Sequence, residues 1–151
     1  MPRLDLASLP ATNASGYPEP YRQPLAGRWY RRLGPAAGLA HLAASHCTLE
    51  PGAWSSQRHW HRGEDEIVIM LAGEAVLVED DTRTTLRAGD IATFAGDSEN
   101  GHHMINEGDA PCSFVAISAG PNNGGVYPDI DMIWDAEDRN RHKDGTLYPG
   151  E

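Results

Sequence analysis

Three histidines and one glutamate in the middle of the chain have the residue types and spacing of a metal site. His59 and His61 are two residues apart, and alternate side chains of a β-strand point to the same face. Glu66 opens another β-prone segment, and it can lie opposite the histidine pair if the two segments are antiparallel neighbours. Much later comes His102, with Asn106 on the same strand face. Three imidazoles and one carboxylate suit Zn, Mn, Fe, Ni, Co or Cu better than Ca or Mg.

Each of these residues has an ordinary explanation when it is taken alone. A single histidine in a strand is usually structural or on the surface, and Glu64, Asp65 and Glu66 could form nothing more than an acidic turn. The combination of a same-face pair, a carboxylate and a distant histidine is hard to obtain by chance. We therefore predict one divalent transition metal per chain (Zn, Mn, Fe, Ni or Co), held by His59, His61, Glu66 and His102.

Short β-prone segments separated by turn residues surround these candidates. A first strand is predicted over 28–33, and the later ones are predicted over 42–49, 56–61, 66–71, 75–79, 82–86, 91–94, 102–106 and 112–118. No sustained helical period is present. Many short strands with frequent turns predict an all-β sandwich or barrel.

We divide the chain into an N-terminal arm with the first strand (1–40), a β-barrel (41–120) and a C-terminal tail (121–151). The arm is proline-rich, which favours an extended conformation. The tail is polar but keeps large apolar side chains, among them Ile130, Met132 and Trp134. We expect it to pack on the barrel or on a partner.

The composition excludes some classes of partner. The chain has 151 residues and a formal net charge of −10, so it repels phosphate backbones and anionic lipid, and we expect neither nucleic acid nor a membrane as partner. Cys47 and Cys112 are too few for a disulfide framework and are expected to be buried thiols. The N-terminus lacks the pattern of a signal peptide, which predicts a cytoplasmic protein.

Two segments resemble the paired motifs of the cupin superfamily. The first runs from Gly52 to Gly73 and contains His59-Trp60-His61 and Glu66, with a first spacer one residue longer than usual. The second runs from Gly89 to His102-x-x-x-Asn106 and carries two extra residues before the histidine. The flanks are similar to those of small single-domain bacterial cupins, which are mostly uncharacterised and of which some are labelled sugar-phosphate isomerase-like.

The resemblance implies a fold and a set of roles. The fold is the cupin double-stranded β-helix, or jelly-roll, barrel, with the arm and tail packed on it. The motif spacing assigns the last ligand to His102 rather than His103, and Asn106 becomes a supporting or wall residue. One or two coordination positions stay open for water or substrate. Glu64 and His103 are the neighbours that could move a proton, although a surface location fits both equally well.

Three functions fit such a site. The first is a metal-dependent enzyme, of isomerase or lyase type, acting on a small oxygen-rich molecule such as a sugar derivative or an organic acid. The second is a dioxygenase that uses Fe or Cu, and the third is a non-catalytic module that binds a small ligand or a metal. We discount the sugar-phosphate label, because no lysine lies near the ligands and Arg58 is expected to face away from them.

The segment 67–71 is apolar on both faces and predicts a homodimer. Val68 and Met70 would face the barrel interior with Glu66, while Ile67, Ile69 and Leu71 would face outward, as Trp60 would on the preceding strand. Such a patch needs a cover. A second subunit is the simplest cover, and the chain's own segment 17–33 is the alternative.

Overall fold

The computed structural model describes residues 3–151, so Met1 and Pro2, the first residues of the predicted arm, lie outside it. The strands of the described part are β1 (Arg28–Arg32), β2 (Ala43–Leu49), β3 (Trp60–His61), β4 (Asp65–Ala72), β5 (Glu74–Val78), β6 (Arg83–Arg87), β7 (Ile91–Phe94), β8 (His103–Ile105), β9 (Cys112–Ala119), β10 (Gly125–Tyr127), β11 (Met132–Trp134) and β12 (Asn140–Arg141). Helical structure there is limited to α1 (Leu33–Ala36) and two 3₁₀ turns, Leu6–Ser8 and Gln23–Leu25. None of these helices has the length and apolar character to cross a bilayer.

The strands form three antiparallel sheets. Five strands pair in the order β1-β2-β9-β4-β7, three in the order β6-β5-β8 and four in the order β12-β11-β10-β3. Connections between strands that are distant in sequence, such as β4 with β9, are typical of jelly-roll barrels. The predicted all-β barrel is confirmed.

The barrel core lies between the five-stranded and the three-stranded sheets. Strict alternation along β4 buries Val68 and Met70, which are 3% and 1% exposed, while Ile67 is 41% exposed. The inward residues of the other strands complete one continuous apolar cluster, which includes Cys47, Leu49, Leu77, Leu86, Phe94, Met104, Cys112 and Phe114. Both cysteines are free and buried, as expected.

A glycine ends the strand that carries Glu66. Gly73 has a φ of +69°, and a Cβ atom there would lie 2.9 Å from the backbone oxygen of Pro111. A side chain at this position would therefore meet both backbone strain and a steric clash. The glycine that closes the first motif is thus required by the turn between β4 and β5.

One predicted pairing is wrong. The segment 56–61 is not a continuous strand, since only Trp60–His61 pairs, and it pairs with β10 of the tail rather than with β4. The link 62–64 carries the chain from the four-stranded sheet to the five-stranded sheet. Glu66 therefore approaches the histidines from a facing sheet and not from a neighbouring strand.

A second apolar cluster joins the arm to the tail. Its buried members are Tyr127, Met132 and Tyr148 of the tail, and Tyr17 and Tyr21 of the arm pack against them. The rings of Tyr17 and Tyr127 meet edge to face with centroids 5.5 Å apart. The Tyr127 ring in turn lies 5.8 Å from the His59 ring, centroid to centroid, so the arm and the tail meet beside a candidate ligand.

Candidate metal centre

Four side chains from three parts of the barrel converge on one point. His59, His61, Glu66 and His102 each offer a donor atom, and these atoms all lie within 4.8 Å of one another. The Nε2 atoms of His59 and His61 are 3.1 Å apart. An Oε2 atom of Glu66 lies 3.1 Å from Nε2 of His61 and 3.2 Å from Nε2 of His102. The structure brings together the four residues that the spacing selected.

Backbone pairing sets the positions of the histidines. His59 and His102 form an isolated antiparallel bridge, in which each backbone N–H donates to the other's carbonyl oxygen, at 3.1 and 2.8 Å. His61 lies two residues further along, in β3, so its ring projects on the same side as that of His59. Glu66 is inward-facing on β4 beside Val68, which completes the cluster from the opposite sheet.

The contacts of two imidazoles decide which nitrogens can bind a cation. His59 Nδ1 lies 2.8 Å from the carbonyl oxygen of Gln57, which can only accept, so the neutral His59 ring carries its proton on Nδ1 and presents a lone pair on Nε2. His61 faces carboxylate oxygens at both nitrogens, Glu64 at 3.3 Å from Nδ1 and Glu66 at 3.1 Å from Nε2. Its Nε2 can bind a metal when the ring keeps its single proton on Nδ1, towards Glu64. The donor set therefore fits a divalent metal.

The charge states of the donors suit metal binding. Burial, together with the neighbouring His102 and His61, lowers the pKa of His59 to about 3, so this ring is neutral at pH 7. Burial acts to raise the pKa of Glu66, but hydrogen bonds with His102 and His61 outweigh it and hold that pKa far below its usual range. The pKa of His61 is raised, because the Glu66 and Glu64 carboxylates outweigh its burial.

Aromatic rings enclose the cluster. Phe94 stacks on the His102 imidazole with centroids 3.6 Å apart, and Trp134 meets the His61 ring edge to face at 5.3 Å. The indole of Trp134 needs Gly125, because a Cβ atom there would lie 1.9 Å from the indole ring. These rings pack directly against the imidazoles and restrict their rotation.

His103 and Asn106 are held by contacts of their own. The His103 ring lies edge-on to Trp54, and its Nδ1 donates to the backbone oxygen of Ser56 at 2.9 Å. Burial lowers the pKa of His103. The Asn106 amide is fully buried and bonds only to backbone groups of Leu49, Gly108 and Ala110. The expectation that Asn106 supports or lines the site is wrong, because it stabilises the turn after β8.

The cluster opens into a cavity of about 730 Å³ inside the barrel mouth. Glu64 lines it, and its second carboxylate oxygen accepts from Ser118 Oγ at 3.4 Å. Sequence reasoning missed several other lining residues, among them Tyr17, Arg28, Tyr30, Tyr127 and Trp134. The signal for Arg28 and Tyr30 was their alternation in the first predicted strand, which puts them on one face but does not tell which face is inward.

Comparisons with known proteins agree with this geometry. The family model described as a cupin domain matches residues 45–118. A crystal structure described as a sugar phosphate isomerase of the cupin superfamily, from Silicibacter pomeroyi, has 37% identity and a TM-score of 0.91, and the match covers 99% of this chain and 98% of that chain. The chain belongs to the cupin superfamily.

Other cupin structures share less of the chain. A cupin 2 conserved barrel domain protein from Salinispora arenicola is 28% identical with a TM-score of 0.57, over 79% of this chain and 87% of that chain. A predicted oxalate decarboxylase from Thermotoga maritima is 26% identical with a TM-score of 0.53, over 62% and 80%. No curated protein matches the chain. The extensive match with the Silicibacter protein includes the arm and the tail, which the family model does not cover.

We expect the metal affinity of this cupin to fall steeply as the pH drops from about 8 to about 5. Imidazoles bind metal only when unprotonated. His61 has a raised pKa, so its protonation competes with the metal already above the usual pKa of about 6.5. Glu64→Gln removes one of the charges that raise this pKa, so the loss should move to lower pH. Competition titrations with a metal-sensitive dye at several pH values would measure both curves, and a flat affinity down to pH 5 would contradict the ligand set.

Proposed function

We propose that this cupin is a metal-dependent enzyme that acts on a small oxygen-rich metabolite, a sugar derivative or an organic acid, by isomerase- or lyase-type chemistry. The observation that carries the proposal is the cavity of about 730 Å³ against which the four donors converge. Sites for small molecules are typically about 300–1,000 Å³ and combine an apolar wall with a few convergent polar groups. The Silicibacter protein is described as a sugar phosphate isomerase and the Thermotoga protein as a predicted oxalate decarboxylase, and both descriptions support this class of reaction.

His59, His61, Glu66 and His102 would hold the metal. A metal bound there would act as a Lewis acid towards a carbonyl or hydroxyl oxygen of the substrate. The remaining roles belong to side chains that do not bind the metal. Phe94 and Trp134 pack against the imidazoles, and with a metal on Nε2 the His61 ring would keep its proton on Nδ1, facing the Glu64 carboxylate.

Glu64 is the better of the two candidates for proton transfer. Its carboxylate lines the cavity, and its two contacts, 3.3 Å to His61 and 3.4 Å to Ser118, are long for hydrogen bonds. A carboxylate so weakly engaged can accept a proton from a substrate carbon or hydroxyl and return it. His103 is buried and donates to the Ser56 carbonyl oxygen, which favours a supporting role for it.

Metal analysis followed by a substrate screen tests the proposal. Protein purified without a histidine tag should contain about one transition metal per chain. Isomerisation or lyase activity on sugars and organic acids should then need the metal and be lost in Glu64→Gln, while the metal content of that variant is retained. Turnover with redox-inactive Zn²⁺ and no O₂ uptake would exclude the dioxygenase alternative. Protein that refuses Zn, Mn, Fe, Ni and Co would end the proposal.

A further inference from the structure

Two cations that the metal ligands do not account for, Arg28 and Arg32, line the cavity. Arg28 pairs across the sheet with Leu49, which is fully buried, so its side chain is on the inward face of β1. Tyr30 and Arg32 follow on the same face, and all three line the cavity. The guanidinium carbon of Arg28 lies 5.0 Å from the centroid of the Tyr30 ring. The arm thus brings a planar cation to the wall of the barrel.

The guanidinium of Arg28 is only partly satisfied. Its Nη1 and Nη2 groups donate to the backbone oxygens of Ser55 and Ala14, at 3.0 and 3.3 Å. Its Nε atom is buried and has no hydrogen-bond partner within residues 3–151, and no carboxylate of that range forms a salt bridge with it. A buried donor without an acceptor and a cation without a counter-charge are both unfavourable. An anion in the cavity would supply the missing counter-charge.

Arg28 is close to the metal-binding cluster. The carbonyl of Ser55 accepts its hydrogen bond, and the neighbouring Ser56 Oγ is 3.2 Å from Nδ1 of His59. Arg28, His59, Glu66 and His102 all line the same cavity. One small molecule can therefore reach both Arg28 and the donors.

We propose that Arg28 is the anion anchor of the cavity, so that the ligand carries a carboxylate or phosphate at one end and the oxygen destined for the metal at the other. This inference rests on the proposed function and names its substrate class. It also removes the objection to an anionic substrate that rested on the outward position of Arg58. That residue is committed to ion pairs with Asp80 and Asp129, as its outward position predicts, whereas the arginines that line the cavity come from β1.

The test compares three ligands that share a six-carbon polyol skeleton: gluconate, glucose 6-phosphate and glucose. Calorimetric titration of Mn²⁺-loaded protein should show binding of at least one anion and much weaker binding of glucose. Arg28→Gln, which keeps a donor for the Ser55 carbonyl, should weaken anion binding about tenfold or more. Arg28→Lys should retain part of the affinity, because it keeps the charge but loses the planar fork.

Arg31→Gln is the matched control. It lies on the same strand and loses the same charge, but it faces the other side and its Nε donates to the carbonyl of Leu9. Anion affinity should be unchanged in this variant. Equal binding of glucose and the anions, or no effect of Arg28→Gln in a folded variant, would overturn the inference. Titrations of metal-free protein distinguish the anion-anchor proposal from the proposed metal-dependent function. If the protein binds no metal but still binds an anion through Arg28, only the enzyme proposal is refuted.

Discussion

His59→Ala, His61→Ala and His102→Ala are each expected to lower the affinity for Zn²⁺ or Mn²⁺ by at least about 100-fold, because changes outside the ligand shell already cost about 10–100-fold. Each change removes one of four converging donors. The variants should stay folded, because the continuous barrel core contains none of the four. Calorimetry or a competing chelator would give the affinities, and circular dichroism would report the fold.

Two neighbours serve as controls for this series. Glu64→Gln keeps an acceptor for His61 Nδ1–H, so it should weaken metal binding by about tenfold at most. His103→Ala should cost stability instead, since it removes packing against Trp54 and the hydrogen bond to Ser56. A larger loss of metal affinity in His103→Ala than in His102→Ala would show that the wrong histidine had been assigned.

Residue types and strand parity were enough to predict three of the donors and the inward face of β4, while the choice of His102 over His103 needed the spacing of the cupin motif. Alternation alone places Val68 and Met70 inside with Glu66, and both are buried. The partner of β3 could not be predicted in this way. His61 pairs with Gly125, more than sixty positions later in the chain, and pairing over such a separation depends on the whole fold rather than on local pattern.

The residues of the cavity wall were harder to predict from the sequence than the metal ligands. Trp134 reaches the histidines only because Gly125 leaves room for its indole, and a single glycine in a turn-rich tail carries no such signal. Arg28 was assigned to a strand, but a strand of five residues with both faces partly polar does not show which face is inward. The ligands can be recognised in the sequence because only a few residue types bind transition metals. Wall residues are selected by size and shape, which many residue types satisfy.

The outer face of the five-stranded sheet is apolar and uncovered in the single chain. Ile67, Leu71 and Ile91 are 41%, 47% and 63% exposed. Cross-strand pairing joins them into one patch, since Ile69 lies between Ile91 on β7 and Val115 on β9, and Ile67 pairs with Ile117. Soluble monomers rarely expose a continuous apolar surface of this kind.

The alternative cover, the chain's own arm, does not reach this patch. Its strand β1 pairs at the sheet edge with β2, and β2 and β9 separate it from β4. The expectation that Trp60 belongs to the patch is wrong, because Trp60 lies in the four-stranded sheet, near the guanidinium of Arg62. The outward residues of β4 and β7 are left as the surface on which a second copy can pack, most simply about a two-fold axis.

We therefore expect a homodimer in solution, and we expect Ile91→Asp and Ile67→Asp to raise its dissociation constant by about 100-fold or more, because each buries an unpaired charge in the interface. Both side chains are already exposed in the single chain, so the monomer should stay folded. Thr85→Asp adds the same charge at an exposed strand position of the three-stranded sheet and should leave the dimer intact. Light scattering and sedimentation at micromolar concentration would measure the mass, and a monomeric wild type would show that this sheet face is tolerated in water without a partner.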